Sequence, residues 1–376
     1  MKRARDLYDA RFRTWIEIDV KKLRANVSEF LTLVSASTRV CAIVKSNAYG
    51  HGIVGIAREL SKMREFKKRG WFAVDSIVEA VRLRKEGIRT PILVLGYILP
   101  RFISDAVNHN ISITVSSLET LRHLTAISKS PRIHLKIDTG MHRQGFFPEE
   151  ISSILPQLKK IIIEGVYTHF ADPERVALTR KQYEKFFFVK NVIAPIYPNA
   201  IFHAAASGAA ILCPKTRCDM VRIGIGLYGY FPSHKARVRA RGISLHPILS
   251  WKSIVSEIKR IPKGESVGYY FTECMRRDSM LAIIPIGYWH GFDRSLSSRG
   301  FVLIRGKRAK VIGRVSMDMI TVDCTDIQNV AIGDQVTIIG VDGRESISAE
   351  EIADMQGTSA YEVLTRINPL IQRNYI

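Results

Sequence analysis

No apolar run in the sequence approaches the roughly 20 residues that a membrane-spanning helix needs. The basic opening stretch, MKRARDLYDARFR, is not followed by an apolar segment of the kind that a signal peptide contains. We therefore expect a cytoplasmic chain with no signal peptide, no anchor and no membrane partner.

Cysteine is also scarce, and its pattern excludes a disulfide framework. The five cysteines are odd in number, widely spaced and never arranged as CxxC: Cys41, Cys213, Cys218, Cys274 and Cys324. This spacing predicts reduced thiols. It offers no metal-ligand pattern, so we predict no metal site.

Positive charge is abundant, but a basic cluster is missing. The formal net charge is +21, yet the lysines and arginines are spread along the chain instead of being gathered in one arm or helix. Basic motifs with interleaved aromatic residues, which favour single-stranded nucleic acids, are absent. We therefore predict no nucleic-acid partner, and a mild gain in anion capture is the alternative to plain surface charge.

What is present is an alternation of short apolar runs and amphipathic stretches between residues 40 and 230. Stretches such as SIVEAVRLRKEG repeat apolar residues at helical spacing and end near glycine or proline. Eight strand candidates separate the helical stretches: VCAIV, GWFAVD, PILVLG, ISITVS, RIHLKID, IEGVYTHF, AIFHAAAS and DMVRIGIGLYG. Eight such repeats predict an α/β fold with a closed parallel (β/α)8 barrel of the TIM type.

After about residue 240 the pattern changes to strand-like segments interrupted by glycine and proline, such as SMLAIIPIGY and IGDQVTIIGVDG. We predict a C-terminal, mostly-β domain over residues 241–376. The barrel domain is predicted over residues 1–240, with WIEIDVKKLRANVSEFLTLV forming a strand and a helix that lead into it.

Unusual polar residues mark the ends of the predicted barrel strands. Lys45 follows the apolar run Ala42–Val44, Asp138 ends the fifth strand, and His169 and Ser207 end the sixth and the seventh. A cation after a buried strand is costly unless it serves a function. Because barrels keep their active sites at the carboxyl ends of their strands, we expect these side chains to share one functional rim.

Arg222 lies in the eighth predicted strand between Val221 and Ile223. Alternation along the strand points its guanidinium into the barrel. A structural salt bridge with a carboxylate on a neighbouring strand is the alternative to a role in the site.

The lysine and a glycine-rich segment together favour an aldehyde cofactor. A desolvated amine at Lys45 loses its proton readily and can form a Schiff base with a carbonyl. After the eighth strand, Gly224 and Gly226 of RIGIGLYG let backbone N–H groups approach an anion, and Ser207 can add a hydroxyl. Pyridoxal phosphate (PLP) would use both features.

Segments distributed over nearly the whole chain resemble the alanine racemases of PLP fold type III. In the barrel these segments are AIVKSNAYGHG, LKIDTGMHRQGF, YTHF and MVRIGIGLYG. In the second domain they are VGYY, PIGYWHGF, GRVSMDM and YEVLTRINP. The segments occur in the order in which the family has them.

The resemblance implies cofactor and substrate roles for individual residues. Lys45 would carry PLP as a Schiff base, His169 would stand beside the pyridine ring and Arg222 would face the pyridine nitrogen. Arg143 would face the substrate, and Lys136 corresponds to a lysine often found as a carbamate. The residues implied for the phosphate side are Tyr49, Ser207, Gly224, Ile225 and Tyr361.

The implied reaction is the racemisation of L-alanine and D-alanine, which supplies D-alanine for peptidoglycan. Two groups on opposite faces must exchange the α-proton, Lys45 on the face that gives the D-enantiomer and Tyr269 on the face that gives the L-enantiomer. Cations near Tyr269 must favour its phenolate, and the candidates are His169, Arg222 and the positively polarised region of the cofactor. Arg222 keeps its protons, so it would leave the pyridine nitrogen unprotonated and the electron sink weak.

The resemblance further implies a homodimer in which the β domain of one subunit reaches the site of the other. The substrate carboxylate would be held by Arg143 and the backbone N–H of Met317. The small-molecule partner is thus an amino acid.

Some positions depart from the family pattern. Trp289 and His290 stand where Ala and Asp are more frequent, so we expect an entrance that differs in charge and width. Ser316 replaces a cysteine, Ala206 an asparagine and His142 a glycine. None of these changes removes a reacting group, but they leave the substrate range open.

Three alternatives to an alanine racemase remain. A racemase of another amino acid, such as serine or a broad set, would need only a wider entrance. A fold type III amino-acid decarboxylase would place an acidic residue at the pyridine nitrogen, where this sequence has Arg222. A PLP carrier without catalysis would leave the residues after 240 unexplained.

Overall fold

The computed structural model describes residues 12–240 and 242–376. Its strands, β1 to β20 in chain order, are Thr14–Ile18, Arg39–Ile43, Gly70–Val74, Ile92–Val94, Ser112–Val115, Ile133–Lys136, Ile163–Tyr167, Ile201–His203, Met220–Ile223, Leu249–Ile254, Glu257–Ile261, Ser266–Val267, Glu273–Cys274, Ser279–Ile284, Phe301–Ile304, Lys307–Ile312, Ile320–Asp323, Gln335–Asp342, Glu345–Ile347 and Gln372–Tyr375. The right-handed α-helices are Val20–Leu33, Ile53–Lys62, Arg64–Arg69, Ile77–Lys85, Ile103–Asn108, Leu118–Ala126, Ile151–Leu158, Val176–Ile193, Ser207–Leu212, His234–Arg239, Ala349–Gln356 and Ala360–Thr365. Within these described ranges, none of the helices has both the length and the apolar character needed to cross a membrane.

Strands β2 to β9 form one parallel sheet in the order β8-β7-β6-β5-β4-β3-β2-β9. Its two ends approach each other where Ala206 bridges Arg222 and where the N–H of Asp219 donates to the carbonyl of Phe202 at 3.0 Å. Each of the eight predicted strand segments overlaps one of these strands. The predicted (β/α)8 barrel is therefore confirmed.

The apolar composition of the barrel strands suits a parallel sheet that is buried on both faces. Every residue of β3, β4, β5 and β6 is buried, as expected for parallel strands with helices on one face and the barrel interior on the other. The helices after β3 and β5 are capped by Ser76 and Ser117, whose side chains accept the N–H groups of Glu79 and Thr120. Strand, cap and helix thus alternate as the sequence pattern predicts, and all strands end at the same rim.

The second sheet is built from the C-terminal part of the chain. Its order is β11-β14-β17-β16-β15-β18-β10-β1-β20, with β19 paired to β18, while β12 and β13 form a separate two-stranded sheet. A small apolar cluster of Met275, Leu281 and Ile312 is covered by Ile261 and Val267. The prediction of a mostly-β C-terminal part is confirmed.

The first strand departs from the predicted organisation. The sequence predicts that it leads into the barrel, but β1 pairs antiparallel with β10 and parallel with β20. Its Trp15, Ile16 and Ile18 are buried. The physical reason is that the barrel leaves no open edge to this strand, whereas β10 and β20 supply hydrogen-bond partners on both of its sides.

Internal contacts divide the chain into two compact units. The barrel unit comprises Lys21–Ala48 and Ile53–Pro247. The sheet unit comprises the described residues up to Val20, Tyr49–Gly52 and Ile248–Ile376.

Candidate active site

The turn that follows β2 carries Lys45 and is left-handed. Ser46–Tyr49 have φ between +49° and +55°, a region that costs L-residues roughly 1–2 kcal/mol each. The Glu79 carboxylate accepts the N–H of Ser46 at 2.7 Å and that of Asn47 at 3.4 Å. Glu79 therefore stabilises a backbone conformation that the turn would not keep by itself.

The ammonium of Lys45 is paired in the barrel unit. Its Nζ lies 3.1 Å from Oδ1 of Asp75, and the lysine side chain is 33% exposed. The desolvation of Lys45 that the sequence predicts stays a prediction. Asp75 and Glu79 were missed, although the polar end of GWFAVD and the acidic residue in the following SIVE were the available signals.

The guanidinium of Arg222 points into the barrel, as the strand alternation predicts, and is 3% exposed. One terminal nitrogen donates to Nδ1 of His203 at 2.9 Å and to its carbonyl at 3.2 Å. The other donates to the carbonyls of Thr168 at 2.7 Å and Ala204 at 2.9 Å, and to Nδ1 of His169 at 3.2 Å. Neutral acceptors thus hold this cation in place.

These contacts bear on the structural salt bridge considered as the alternative for Arg222. Over residues 12–240 and 242–376, no carboxylate lies within ion-pair distance of Arg222, so the structural salt bridge is not found. All its hydrogen bonds with described residues leave from the two terminal nitrogens, and its Nε–H remains for one further acceptor.

His169 sits beside Arg222 as a neutral imidazole. Burial, together with the charges of Arg222, Lys136, Arg143 and Lys45, lowers its pKa well below the ordinary value. Because Arg222 only donates, Nδ1 of His169 accepts and its proton lies on Nε2. The direction of this pKa shift argues against His169 as the cation near Tyr269.

Lys136 is a second buried basic side chain of the barrel interior. Its Nζ lies 4.7 Å from the ring centroid of Tyr167, and the guanidinium carbon of Arg222 lies 5.2 Å from the same centroid. Burial lowers the pKa of Lys136 well below its ordinary value, and the charge of Arg222 acts in the same direction. Lys136 is thus set apart from the exposed lysines by its environment.

Asp138 holds the loop that carries Arg143. Its Oδ1 accepts the N–H groups of Gly140, Met141 and His142 at 2.9, 2.9 and 3.1 Å, and its Oδ2 accepts that of Arg143 at 3.1 Å. Burial alone would raise the pKa of Asp138, but these backbone donors lower it below the ordinary value. Asp138 therefore positions the loop, and the Arg143 side chain is exposed.

His142 shows how a departure from the family pattern is accommodated in this loop. Its φ is +55°, in the left-handed region that favours glycine. A histidine there keeps the turn that a glycine forms more easily. The loop geometry therefore carries some strain at His142.

Ser207 and the glycine segment after β9 form a compact cradle. Oγ of Ser207 accepts the N–H of Gly224 at 3.0 Å and lies 3.5 Å from that of Gly226. A Cβ on Gly226 would lie 2.6 Å from the ring of Phe30, so this backbone approach requires glycine. Ser207 retains its own O–H as a donor, and Ile225 lies between the two glycines.

In the sheet unit, Tyr269 lies in an exposed turn. Tyr269, Tyr270 and Phe271 are 65%, 76% and 77% exposed. Tyr270 has φ +62°, and the guanidinium carbon of Arg314 lies 4.8 Å from its ring centroid. This is a large apolar surface for one short segment.

Two further segments of the sheet unit pack against each other. The N–H of Trp289 donates to the carbonyl of Met317 at 3.0 Å, and a Cβ on Gly287 would lie 2.4 Å from that carbonyl oxygen. The Met317 side chain is exposed. His290 is buried, and its Nδ1 accepts the N–H of Gly287 at 3.1 Å. The difference in entrance charge that the sequence implies stays a prediction.

The two predicted phosphate-side tyrosines lie together in the sheet unit. The ring centroids of Tyr49 and Tyr361 are 5.9 Å apart in an edge-to-face arrangement. Burial raises the pKa of Tyr361 to about 12, so its hydroxyl is a donor at neutral pH. The predicted site residues thus fall into two groups, one in each unit.

Two protein-family models match the chain. Residues 18–232 match the family described as alanine racemase, N-terminal domain, and residues 248–375 match alanine racemase, C-terminal domain. An alanine racemase of Methanococcus maripaludis is 39% identical, over 96% of this chain and 98% of that protein. One from Leptospira interrogans is also 39% identical, over 96% of this chain and 95% of that protein.

Solved structures agree with the sequence relatives. An alanine racemase from Clostridium difficile has a TM-score of 0.90 and 34% identity, covering 97% of this chain and 96% of that chain. An alanine racemase from Bacillus anthracis with bound L-Ala-P has a TM-score of 0.89 and 33% identity, covering 97% of this chain and 95% of that chain.

The chain combines a barrel that carries polar residues at its rim with a mostly-β C-terminal part. Together with these relatives, this architecture defines an amino-acid racemase. Within that class, the chain belongs to the alanine racemase family.

Proposed function

We propose that the protein interconverts L-alanine and D-alanine with pyridoxal phosphate and supplies D-alanine for peptidoglycan. The observation that carries the proposal is Arg222, whose terminal nitrogens are committed to barrel acceptors while Nε–H stays available. One N–H donor that keeps its proton matches a pyridine nitrogen, which is a single acceptor. The alanine racemase names of the relatives support the substrate.

The residues fit the cofactor at several points. Lys45 would hold the aldehyde carbon, and the Ser207 hydroxyl with the backbone of Gly224 and Ile225 would hold the phosphate. Tyr49 and Tyr361 would add phosphate-side donors, and His169 would present Nε2–H beside the ring. When bound, pyridoxal phosphate supplies an electron sink that acidifies the α-proton of an attached amino acid.

Lys45 and Tyr269 would move the α-proton. Lys45 takes or returns it on the face that gives D-alanine, and Tyr269 does so on the face that gives L-alanine. Asp75 lies 3.1 Å from the Lys45 amine and orients it when the amine is free. Arg222 remains protonated throughout, so it restrains proton transfer to the ring and favours return of the proton to the α-carbon.

Arg143 and the backbone N–H of Met317 would hold the substrate carboxylate. The lowered pKa of Lys136 supports the carbamate that the family resemblance implies, because only a neutral amine adds carbon dioxide. A carbamate would place a negative charge near Arg143 and Arg222, whose positive charges now lower that pKa.

A homodimer would complete each site, with Tyr269 acting on the site of the other subunit. The exposure of Tyr269, Tyr270 and Phe271 supports a role for this turn in contacting a second copy. Cytoplasmic localisation and the lack of a nucleic-acid partner stay predictions from the sequence.

The test is turnover of a panel of L-amino acids, followed by chiral separation of the products. We expect D-alanine from L-alanine at the highest kcat/KM. A faster reaction with serine or a larger amino acid would replace alanine as the substrate. Release of carbon dioxide without a D-product would favour the decarboxylase, which Arg222 argues against.

A further inference from the structure

A row of buried polar side chains continues from Arg222 into the barrel, away from the residues assigned to the cofactor. Nε2 of His203 lies 2.9 Å from Nδ1 of His134, and Nε2 of His134 lies 3.6 Å from Oε2 of Glu164. Both histidines have 0% exposure. We refer to Arg222, His203, His134 and Glu164 as the histidine row.

The arginine end fixes the direction of the row. A guanidinium can only donate, so Nδ1 of His203 must be an unprotonated acceptor for Arg222. Neutral His203 then carries its proton on Nε2 and donates it to Nδ1 of His134. His134 in turn must carry its proton on Nε2, where it faces Glu164.

The carboxylate end favours the same direction through its charge. The hydroxyl of Ser112 donates to Glu164, and Nε of Arg132 lies 3.1 Å from Oε1 of Glu164. Burial opposes ionisation of Glu164, but these groups and His134 bring its pKa below the ordinary value. An ionised carboxylate can only accept, and Nε2 of His134, which lies 3.6 Å from it, has no hydrogen-bond partner among the described residues, so the charge of Glu164 favours a proton on this nitrogen.

Burial keeps both histidines neutral. It lowers the pKa of His134, and together with the charge of Arg222 it lowers the pKa of His203 well below the ordinary value. Gly165, next to Glu164, provides the room, because a Cβ there would lie 2.4 Å from Nδ1 of His134. The dipeptide of Glu164 and Gly165 thus provides both the acceptor and the space for the row.

We propose that Glu164 is a positioning residue which, through His134, locks His203 in its Nε2–H tautomer and thereby fixes the orientation of Arg222. The opposite tautomer would put an N–H of His203 against a guanidinium N–H, and Arg222 would lose its 2.9 Å contact. The tautomer assignment stands without the proposed function. Only the final link, from Arg222 orientation to racemisation, rests on it.

The experiment uses the full-length protein with pyridoxal phosphate, labelled with ¹⁵N at histidine. In long-range ¹H–¹⁵N spectra we expect His134 and His203 to be neutral and protonated on Nε2. In Glu164→Gln, whose amide can donate as well as accept, we expect mixed tautomers at His134. We also expect kcat to fall roughly tenfold at nearly constant KM. Glu184→Gln, which changes an exposed carboxylate on the helix Val176–Ile193, should change neither.

Each outcome decides the proposal. If either histidine of the wild-type protein is protonated on Nδ1, or on both nitrogens, the hydrogen-bond direction assigned to the histidine row is wrong. This result does not depend on whether Glu164→Gln folds. A folded Glu164→Gln whose histidine spectra do not change, or whose kcat does not fall when they do, overturns the positioning role. The expected wild-type tautomers in a protein that does not racemise alanine would instead refute the proposed function and leave the row intact.

Discussion

The candidate residues of the barrel unit and those of the sheet unit are held in opposite ways. Arg222 makes five hydrogen bonds to barrel groups and is 3% exposed, whereas Tyr269 is 65% exposed. Buried donors and acceptors fix a side chain before any ligand arrives, because leaving one unpaired costs about 1–3 kcal/mol. An exposed tyrosine has no such restraint, and its final position depends on what it meets.

Lys45→Ala gives the largest expected effect, because it removes the group that would join barrel and cofactor. We expect turnover of alanine to be abolished in both directions and the visible absorbance band of the bound cofactor, which a lysine-linked aldehyde would give, to disappear. Steady-state assays and absorbance spectra of the purified protein measure this. Lys62→Ala, a matched change of an exposed helical lysine, should leave both unchanged. Retained activity in Lys45→Ala would show that another residue carries the cofactor.

Tyr269→Phe tests whether the exposed turn contributes chemistry. We expect removal of the α-proton from L-alanine to slow by about 10²–10⁴-fold, with a smaller effect on D-alanine. Exchange of the α-proton in deuterated water measures the two faces separately. Tyr270→Phe is the control, since Tyr270 belongs to the same turn.

Mixing the Tyr269→Phe and Lys45→Ala proteins sharpens the same comparison. If subunits share sites, mixed dimers contain one intact site and part of the activity returns. No recovery after demonstrated subunit exchange would mean that both residues act within one chain.

The buried histidines make the barrel unit sensitive to acid. Below about pH 6.5 an unfolded histidine gains a proton, while His134, His169 and His203 stay neutral because their pKa values are lowered in the folded state. The unfolded state then binds more protons, so the free energy of unfolding falls as the pH drops below about 6.5. The slope is up to roughly 1.4 kcal/mol per pH unit for each such histidine.

Urea denaturation between pH 7.5 and pH 5.5 tests this slope. His203→Gln keeps one acceptor and one donor but does not titrate, so its stability should depend less steeply on pH. His123→Gln, on the exposed face of Leu118–Ala126, should keep the wild-type slope. An unchanged slope in His203→Gln would contradict the account of a neutral His203.

Glu79→Gln gives the smallest expected effect and tests the turn that carries Lys45. The amide oxygen is a weaker acceptor than the carboxylate for the N–H groups of Ser46 and Asn47. We expect a loss of about 1–2 kcal/mol in the free energy of unfolding. Glu86→Gln, which breaks only an exposed ion pair with Arg58, should cost less than about 1 kcal/mol. Equal losses in the two variants would argue against a special role for Glu79.

The sequence predicted the barrel more fully than it predicted the site. Eight apolar runs were enough for the strands, because a parallel strand buried on both faces has a recognisable composition. Arg222 was placed correctly from its alternation with Val221 and Ile223. The partners of Lys45 were missed, since Asp75 is distant in sequence and a strand-end aspartate is a common residue.

Local pattern therefore determined the strands, the helices between them, the glycine segment after β9 and the inward direction of Arg222, because each depends on residues that are neighbours in sequence. The tertiary structure alone decided that β1 joins the second sheet, that backbone carbonyls and neutral histidines hold Arg222, and that His290 is buried. Each of these depends on which distant residues come within hydrogen-bonding or packing distance. A linear pattern carries no record of such distances, so they follow only from the folded chain.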